Sequence, residues 1–323
     1  MIDVHTHILP PGWPDLGERC PRFERIDAHT ARIVVGGRNF RDITDQCWDP
    51  ERRLADMARD GVERQVISTV PVLFSYWAPP AMGLSLCRHL NDHIAGVVAA
   101  HPRRFVGLAT VPLQDPARAV TELRRAVAEL GLHGVEIGSN VNGQDLDALG
   151  LFPFFEAAAA LDVAVFVHPW QMVGGERLER YYLGWLVGMP AETSLAIASV
   201  IFGGLLERLP ALRIGFAHGG GALPYVAARL DRGWQVRPEC RAAIPRPPSE
   251  YLPRLWFDSL THDPEALRFL LGRADPGRVM LGTDYPFAMG EAEPGATIRK
   301  TATSDAERSA LTTENARRFL GLA

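Results

Sequence analysis

The chain of 323 residues is 47% hydrophobic and 22% charged, the balance of an ordinary globular enzyme rather than of a disordered or fibrous chain. Its net charge of −4 comes without a basic tract, which excludes a nucleic-acid surface as the organising feature. No apolar run is long enough to cross a bilayer, because Asp162 interrupts the longest candidates, 157–160 and 163–167.

The first predicted element is a strand over 2–5, directly behind Met1, an arrangement that leaves no room for a signal peptide. It runs into His5-Thr6-His7, and residues i and i+2 of a strand share a face, so two imidazoles aim into one space. Residues 10–49 then break the pattern with prolines, glycines and two short β-like pieces, 31–35 and 40–43. They read as an insertion covering the active-site mouth. Next come a helix over 50–60, a strand over 65–69, a helix over 84–100, a strand over 105–110 and a helix over 116–130. A strand over 134–137, a helix over 153–161, a strand over 164–168 and a helix over 192–208 follow. Strands over 213–217 and 256–258, a helix over 264–271, a strand over 279–283 and a helix over 305–320 complete the order. Eight strands alternating with helices in one domain, 1–323, predict a (β/α)₈ TIM barrel. A doubly wound open sheet is the competing architecture, but Pro224 stands where a dinucleotide loop beginning at Gly219 needs its third glycine.

The polar residues fall at the strand ends. His168 ends the fifth strand, His218 follows the sixth and Asp284 follows the eighth. In a barrel these carboxyl ends converge on one mouth with His5 and His7. Each residue alone is readily a loop histidine or a turn former. Together, four imidazoles and a carboxylate from four strands point to a bound Zn²⁺, with Mn²⁺, Fe²⁺ and Co²⁺ suited to the same donors. With three histidines and the aspartate on the ion, His218 is left to act as acid or base on the ion's water. His29, His89, His93, His101, His133 and His262 are read as structural; His262 stands nearest to the pattern, after the seventh strand. Lys300 is the sole lysine, which excludes a mid-chain Schiff base and a metal pair bridged by a carbamylated lysine. Cys20, Cys47, Cys87 and Cys240 are scattered without a CxxC pair, as reduced thiols of a cytoplasmic protein would be. No G-x-S-x-G occurs, so the glycines after His218 do not belong to a serine esterase.

His5-Thr6-His7, His168-Pro169-Trp170, His218-Gly219-Gly220-Gly221 and Gly282-Thr283-Asp284-Tyr285-Pro286-Phe287, in that order, resemble the amidohydrolase superfamily and, within it, its decarboxylase branch. The similarity extends through Asn39-Phe40-Arg41, Cys47-Trp48-Asp49-Pro50 and the stretch from Trp185 to Thr193. The resemblance implies His5, His7, His168 and Asp284 as ligands of one zinc ion per chain and His218 as the acid/base. It implies that Arg41 holds a substrate carboxylate and that Trp185 and Phe287 line the pocket. It also implies a homodimer in which Arg229 reaches the partner's site. Arg41 has support of its own, because it lies beside Phe40 over the mouth and its planar fork suits a carboxylate. The helical surroundings of Arg229 suit an exposed face equally well.

The reaction implied is non-oxidative loss of CO₂ from an unsaturated amino dicarboxylate semialdehyde, of the kind met in tryptophan catabolism, with no organic cofactor. Two routes fit: hydroxide addition to the double bond before CO₂ leaves, or direct protonation of the carbon bearing the carboxylate. The rivals are a decarboxylase of a hydroxybenzoate-like acid, against which the His-x-His pair weighs, and a lactone or amide hydrolase of the same superfamily.

Overall fold

A computed structural model describes residues 1–322. Ile2–Ile8 (β1) is buried along its whole length, as expected of a strand covered on both faces. Seven more strands follow in parallel: Arg64–Thr69 (β2), Phe105–Gly107 (β3), Gly134–Gly138 (β4), Ala164–His168 (β5), Arg213–Phe216 (β6), Trp256–Asp258 (β7) and Val279–Met280 (β8). β1, β2 and β3 form one hydrogen-bonded run, and β4 to β8 form another. Two seams join them. Ala109 N donates to Gly134 O and Glu136 N to Ala109 O, both at 2.8 Å, linking the extension of β3 to β4. Val4 N donates to Leu281 O at 2.9 Å, Asp284 N to His5 O at 2.8 Å and His7 N to Tyr285 O at 2.8 Å, linking β1 to the extension of β8. The eight strands thus close into the expected barrel. β3 and β8 are shorter than predicted because only their first residues keep regular strand pairing, while the chain beyond runs on through these seam bonds.

Asp-Pro pairs explain why several helices begin where the sequence predicts. The helices Pro50–Asp60, Pro116–Ala128 and Pro264–Leu271 each start on a proline whose preceding Asp49, Asp115 or Asp263 accepts a backbone N–H of the first turn. The helix expected over 192–208 is broken. Met189–Phe202 and Leu205–Arg208 meet at Gly204, which takes a φ of +71° and has Ala243 O where a Cβ would sit. Leu223–Val236, after β6, is a helix absent from the predicted elements. A π-turn, Gly184–Gly188, runs into Met189–Phe202, so Gly184–Phe202 is an apolar helix long enough to cross a membrane by length and composition. That corrects the reading that no run reaches this length. Its Ala196, Ile197, Val200 and Ile201 are packed in the barrel's hydrophobic core.

Between β1 and the first helix, Arg22–Arg25, Thr30–Val35 and Arg38–Thr44 form a three-stranded antiparallel sheet. It is anchored from beneath by Arg53, which is fully buried. Arg53 donates to His7 O at 2.6 Å, Gln46 O at 3.0 Å, Thr6 Oγ1 at 2.9 Å and Gln65 Oε1 at 3.1 Å. One guanidinium therefore satisfies buried acceptors on β1, on β2 and in the segment carrying the small sheet. Arg53→Ala orphans all of them and is expected to lower stability by about 3 kcal/mol or more. Denaturant unfolding checks this, and a loss below about 1 kcal/mol, the size of one ordinary hydrogen bond, would contradict it.

Candidate metal centre

His5, His7, His168 and Asp284 each present one ligating atom, and the four atoms lie within 4.8 Å of one another, all in buried residues. The tautomers follow from what each ring's other nitrogen faces. His5 Nδ1 lies 2.7 Å from Asp258 Oδ2, His7 Nδ1 3.0 Å from Thr69 O and His168 Nδ1 2.9 Å from Pro169 O. All three partners are acceptors, so each Nδ1 carries a proton and each Nε2 turns a lone pair inward. His5 Nε2 and His7 Nε2 stand 3.2 Å apart, and His7 Nε2 is 3.1 Å from Asp284 Oδ1. Oδ1 is buried and lacks a hydrogen-bond donor. Lone pairs crowded together this closely repel unless a cation sits among them. The donor set therefore fits a divalent ion.

The charges agree. Burial pushes the His168 imidazole well below its ordinary pKa, with His7, His5 and His218 adding to the effect, so it is neutral and free to ligate. Burial also lowers His5, against the pull of Asp258. In His7 burial is outweighed by Glu136 and Asp284, and its pKa is raised. For Asp284 burial works against the charge, but the imidazoles of His218, His7 and His5 hold its carboxyl well below the usual range.

His218 completes the ring around the ligands. Its Nε2 lies 3.9 Å from Asp284 Oδ2, and its ring centroid is 5.2 Å from those of His5 and His168. It holds a left-handed backbone, φ +57°, which is costly for a residue with a Cβ. Its Nδ1 is buried without a partner, so the ring is not committed to the protein.

The centre opens into a cavity of about 1100 Å³. His168, His218 and Asp284 form its floor, and Phe40, Arg41, Ile43, Trp185 and Phe287 are among its walls. The Arg41 guanidinium lies 4.1 Å from the Phe287 ring centre, 5.7 Å from that of Trp185 and 5.9 Å from that of Phe40. Cation–π contacts hold it. It has no hydrogen bond or ion pair among the described residues. Trp185 is stacked on Tyr182 at 4.4 Å. Arg229 is not part of this assembly. It is exposed on the helix Leu223–Val236, one turn beyond Tyr225, which lines the cavity rim and is 81% exposed.

Two buried carboxylates near the centre escape a reading that stops at loop histidines. Asp258, the last residue of β7, touches both His5 and the backbone of His218. The signal was present, since an acidic residue at a strand's carboxyl end is the same feature that marks Asp284. Glu136, inside β4, has both oxygens unpartnered and Oε1 3.7 Å from His7 Nδ1. Burial pushes its carboxyl up to about 7. A single Glu within an apolar strand was its only trace. His262 also lines the cavity, exposed and at φ +60°.

A closed parallel barrel with a His-x-His pair on its first strand and an aspartate after its last defines a class, and the amidohydrolase family profile matches residues 2–322. The chain belongs to that family. It is 49% identical to the 2-amino-3-carboxymuconate-6-semialdehyde decarboxylase of Dictyostelium discoideum, over 99% of this chain and 91% of that one. It is 37% identical to the Caenorhabditis elegans protein of the same name, over 93% of this chain and 88% of that one. Among solved structures it is similar to a dihydroxybenzoic acid decarboxylase from Polaromonas sp. with bound manganese and 2-nitroresorcinol. The TM-score there is 0.77, the identity 26% and the coverage 86% of this chain and 88% of that one.

Proposed function

We propose that the protein is a zinc-dependent decarboxylase that converts 2-amino-3-carboxymuconate 6-semialdehyde to 2-aminomuconate 6-semialdehyde and CO₂, as in tryptophan catabolism. The observation that carries this reading is the unpaired Arg41 guanidinium above a four-ligand metal centre, both facing one largely apolar cavity. Three imidazoles and a carboxylate suit zinc. An ion held there by His5, His7, His168 and Asp284 supplies Lewis acidity and lowers the pKa of water beside it. The chain does the rest. Arg41 grips a substrate carboxylate and orients the leaving one towards the floor. Trp185, Phe40 and Phe287 exclude water around the breaking bond, which favours a charge-neutral CO₂ over the carboxylate. His218 moves the proton that ends up on the carbon that CO₂ leaves. Residues 10–49 act as the cover of the site, since Phe40, Arg41 and Ile43 from their sheet wall the cavity. The four free thiols support a reducing, cytoplasmic setting.

The test is a substrate panel on metal-depleted protein reloaded with zinc or manganese. Loss of CO₂ from the aminocarboxymuconate semialdehyde, restored by metal, is the expected result. Turnover of a dihydroxybenzoate in its place would favour the hydroxybenzoate branch and overturn the reading.

The homodimer belongs to the same proposal. Tyr182, Leu186 and Tyr225 are large, exposed and line the cavity, and Tyr181 and Val187, next to them in the chain, are exposed as well. A patch of this kind suits burial against a second copy. Arg229, beside it, then projects from one protomer towards the other's cavity and supplies the second guanidinium for a dianionic substrate. Arg41→Ala and Arg229→Ala are each expected to be nearly inactive and to keep their metal. A co-expressed mixed dimer regains one complete site, so about half of randomly paired dimers become active at one site. Verified mixed dimers without activity would place both arginines in one site or leave Arg229 outside it.

A further inference from the structure

Of the three ligand imidazoles, two are oriented by main-chain carbonyls, Thr69 O and Pro169 O, which no substitution removes. Ser68 Oγ and Glu136 Oε1 stand only at 3.4 and 3.7 Å from His7 Nδ1, farther than its carbonyl. His5 has no main-chain acceptor at its Nδ1 among the described residues and is oriented by the side chain of Asp258, with both groups fully buried. The same carboxylate has a second set of partners. Its Oδ2, 2.7 Å from His5 Nδ1, also accepts His218 N at 2.9 Å, and its Oδ1 accepts Gly219 N at 2.8 Å and Leu260 N at 3.1 Å. Four donors converge on two oxygens, which only an ionised carboxylate satisfies.

The local chain is built around this contact. His218 and Gly219 take φ of +57° and +61° in succession. That geometry turns both N–H groups onto Asp258, and strain at a non-glycine residue persists only where surroundings hold it. Gly282 clears the space: a Cβ there would lie 2.7 Å from Asp258 Cβ and 2.9 Å from His5 Cβ.

We infer that Asp258 is the positioning residue that couples the metal ligand to the acid/base. One carboxylate fixes the proton of His5 on Nδ1, freeing Nε2 for the ion, and pins the strained turn that aims His218 at the same point. The inference rests on the proposed metal-dependent decarboxylation, but its first readout, metal affinity, does not require that the substrate be right. In Asp258→Asn the amide keeps the shape and loses one acceptor. Its NH₂ group must face either His5 Nδ1–H and His218 N–H or the N–H groups of Gly219 and Leu260.

The experiment compares wild-type and D258N protein after metal depletion, by zinc titration against a chelator and then by turnover at saturating zinc. The zinc Kd is expected to rise about 10–100-fold. The kcat at saturating zinc should still fall about 10²-fold, as a misplaced catalytic group costs, with KM little changed because Arg41 is untouched. A variant that melts earlier but keeps the wild-type zinc Kd would overturn the coupling and make Asp258 purely structural. So would a restored kcat once zinc saturates, since His218 would then be placed without Asp258. If wild type leaves the aminocarboxymuconate semialdehyde unchanged, the substrate reading fails and the zinc comparison still decides the role of Asp258. Should D258N not fold, nitrogen NMR of histidine-labelled wild type, with and without zinc, decides instead. All ligand imidazoles are expected to carry their proton on Nδ1. A ligand protonated on Nε2 would refute the assignment for His5.

Discussion

Protein in which both His5 and His7 are replaced by alanine is expected to hold no divalent ion and to turn over no substrate. The two residues supply half of the donor set, and they stand on one strand whose register is fixed on both sides. β2 pairs with it along one edge, and the extension of β8 bonds to it along the other. No other imidazole on β1 or β8 can take their place, so the loss is not compensated by rearrangement. His168 and Asp284 remain, but two ligands alone compete poorly with solvent for a divalent ion. Elemental analysis of wild type should find about one ion per chain, as one four-donor set implies. Two ions per chain in wild type, or metal retained by the double variant, would contradict the assignment.

His218→Ala separates holding the ion from using it. Its ring stands outside the four-atom cluster, with Nε2 3.9 Å from the nearer carboxylate oxygen of Asp284. Its removal leaves every donor in place. The metal content should therefore match wild type, while turnover falls by roughly 10²–10⁴, the usual worth of a positioned acid or base. Loss of the ion with the fold intact would make His218 a ligand. Turnover within about tenfold of wild type would mean that proton transfer does not pass through it.

What the sequence discloses follows from which forces act over short distances. Barrel strands are apolar on both faces and end at Gly, Pro or Asp, so β2, β5 and β7 start and stop within a residue of their expected places. Asp-Pro starts are equally local, and they fix the first turns of three helices. The convergence of His5, His7, His168 and Asp284 is a long-range fact, legible because barrel topology sends every strand's carboxyl end to one mouth. Elements whose burial is decided elsewhere were less legible. Arg22–Arg25 reads RFER, with no apolar alternation, and becomes a strand only by pairing with Thr30–Val35. Leu223–Val236 opens behind three glycines and carries Gly233, so its propensity is weak and packing against the barrel decides it. Asp258 stands at a strand's end like Asp284, but its role is not legible, because its partner His5 is far away in sequence and its second partner is a backbone turn that no side-chain pattern announces.

The seam between β1 and the extension of β8 has a consequence for how the molecule comes into being. His5 and His7 are synthesised long before Asp284, so the approach of Asp284 Oδ1 to His7 and the bonds from Asp284 N to His5 O and from His7 N to Tyr285 O wait for all the chain that lies between them. Contacts of such sequence separation are the slowest to form. The four donors stand together only once this seam has formed, so an ion held by them would act as its clasp. Because it binds the closed form and not the open one, it draws the last closing step forward by mass action. A cell short of the metal would then accumulate barrels that open at this seam first, between β1 and the extension of β8.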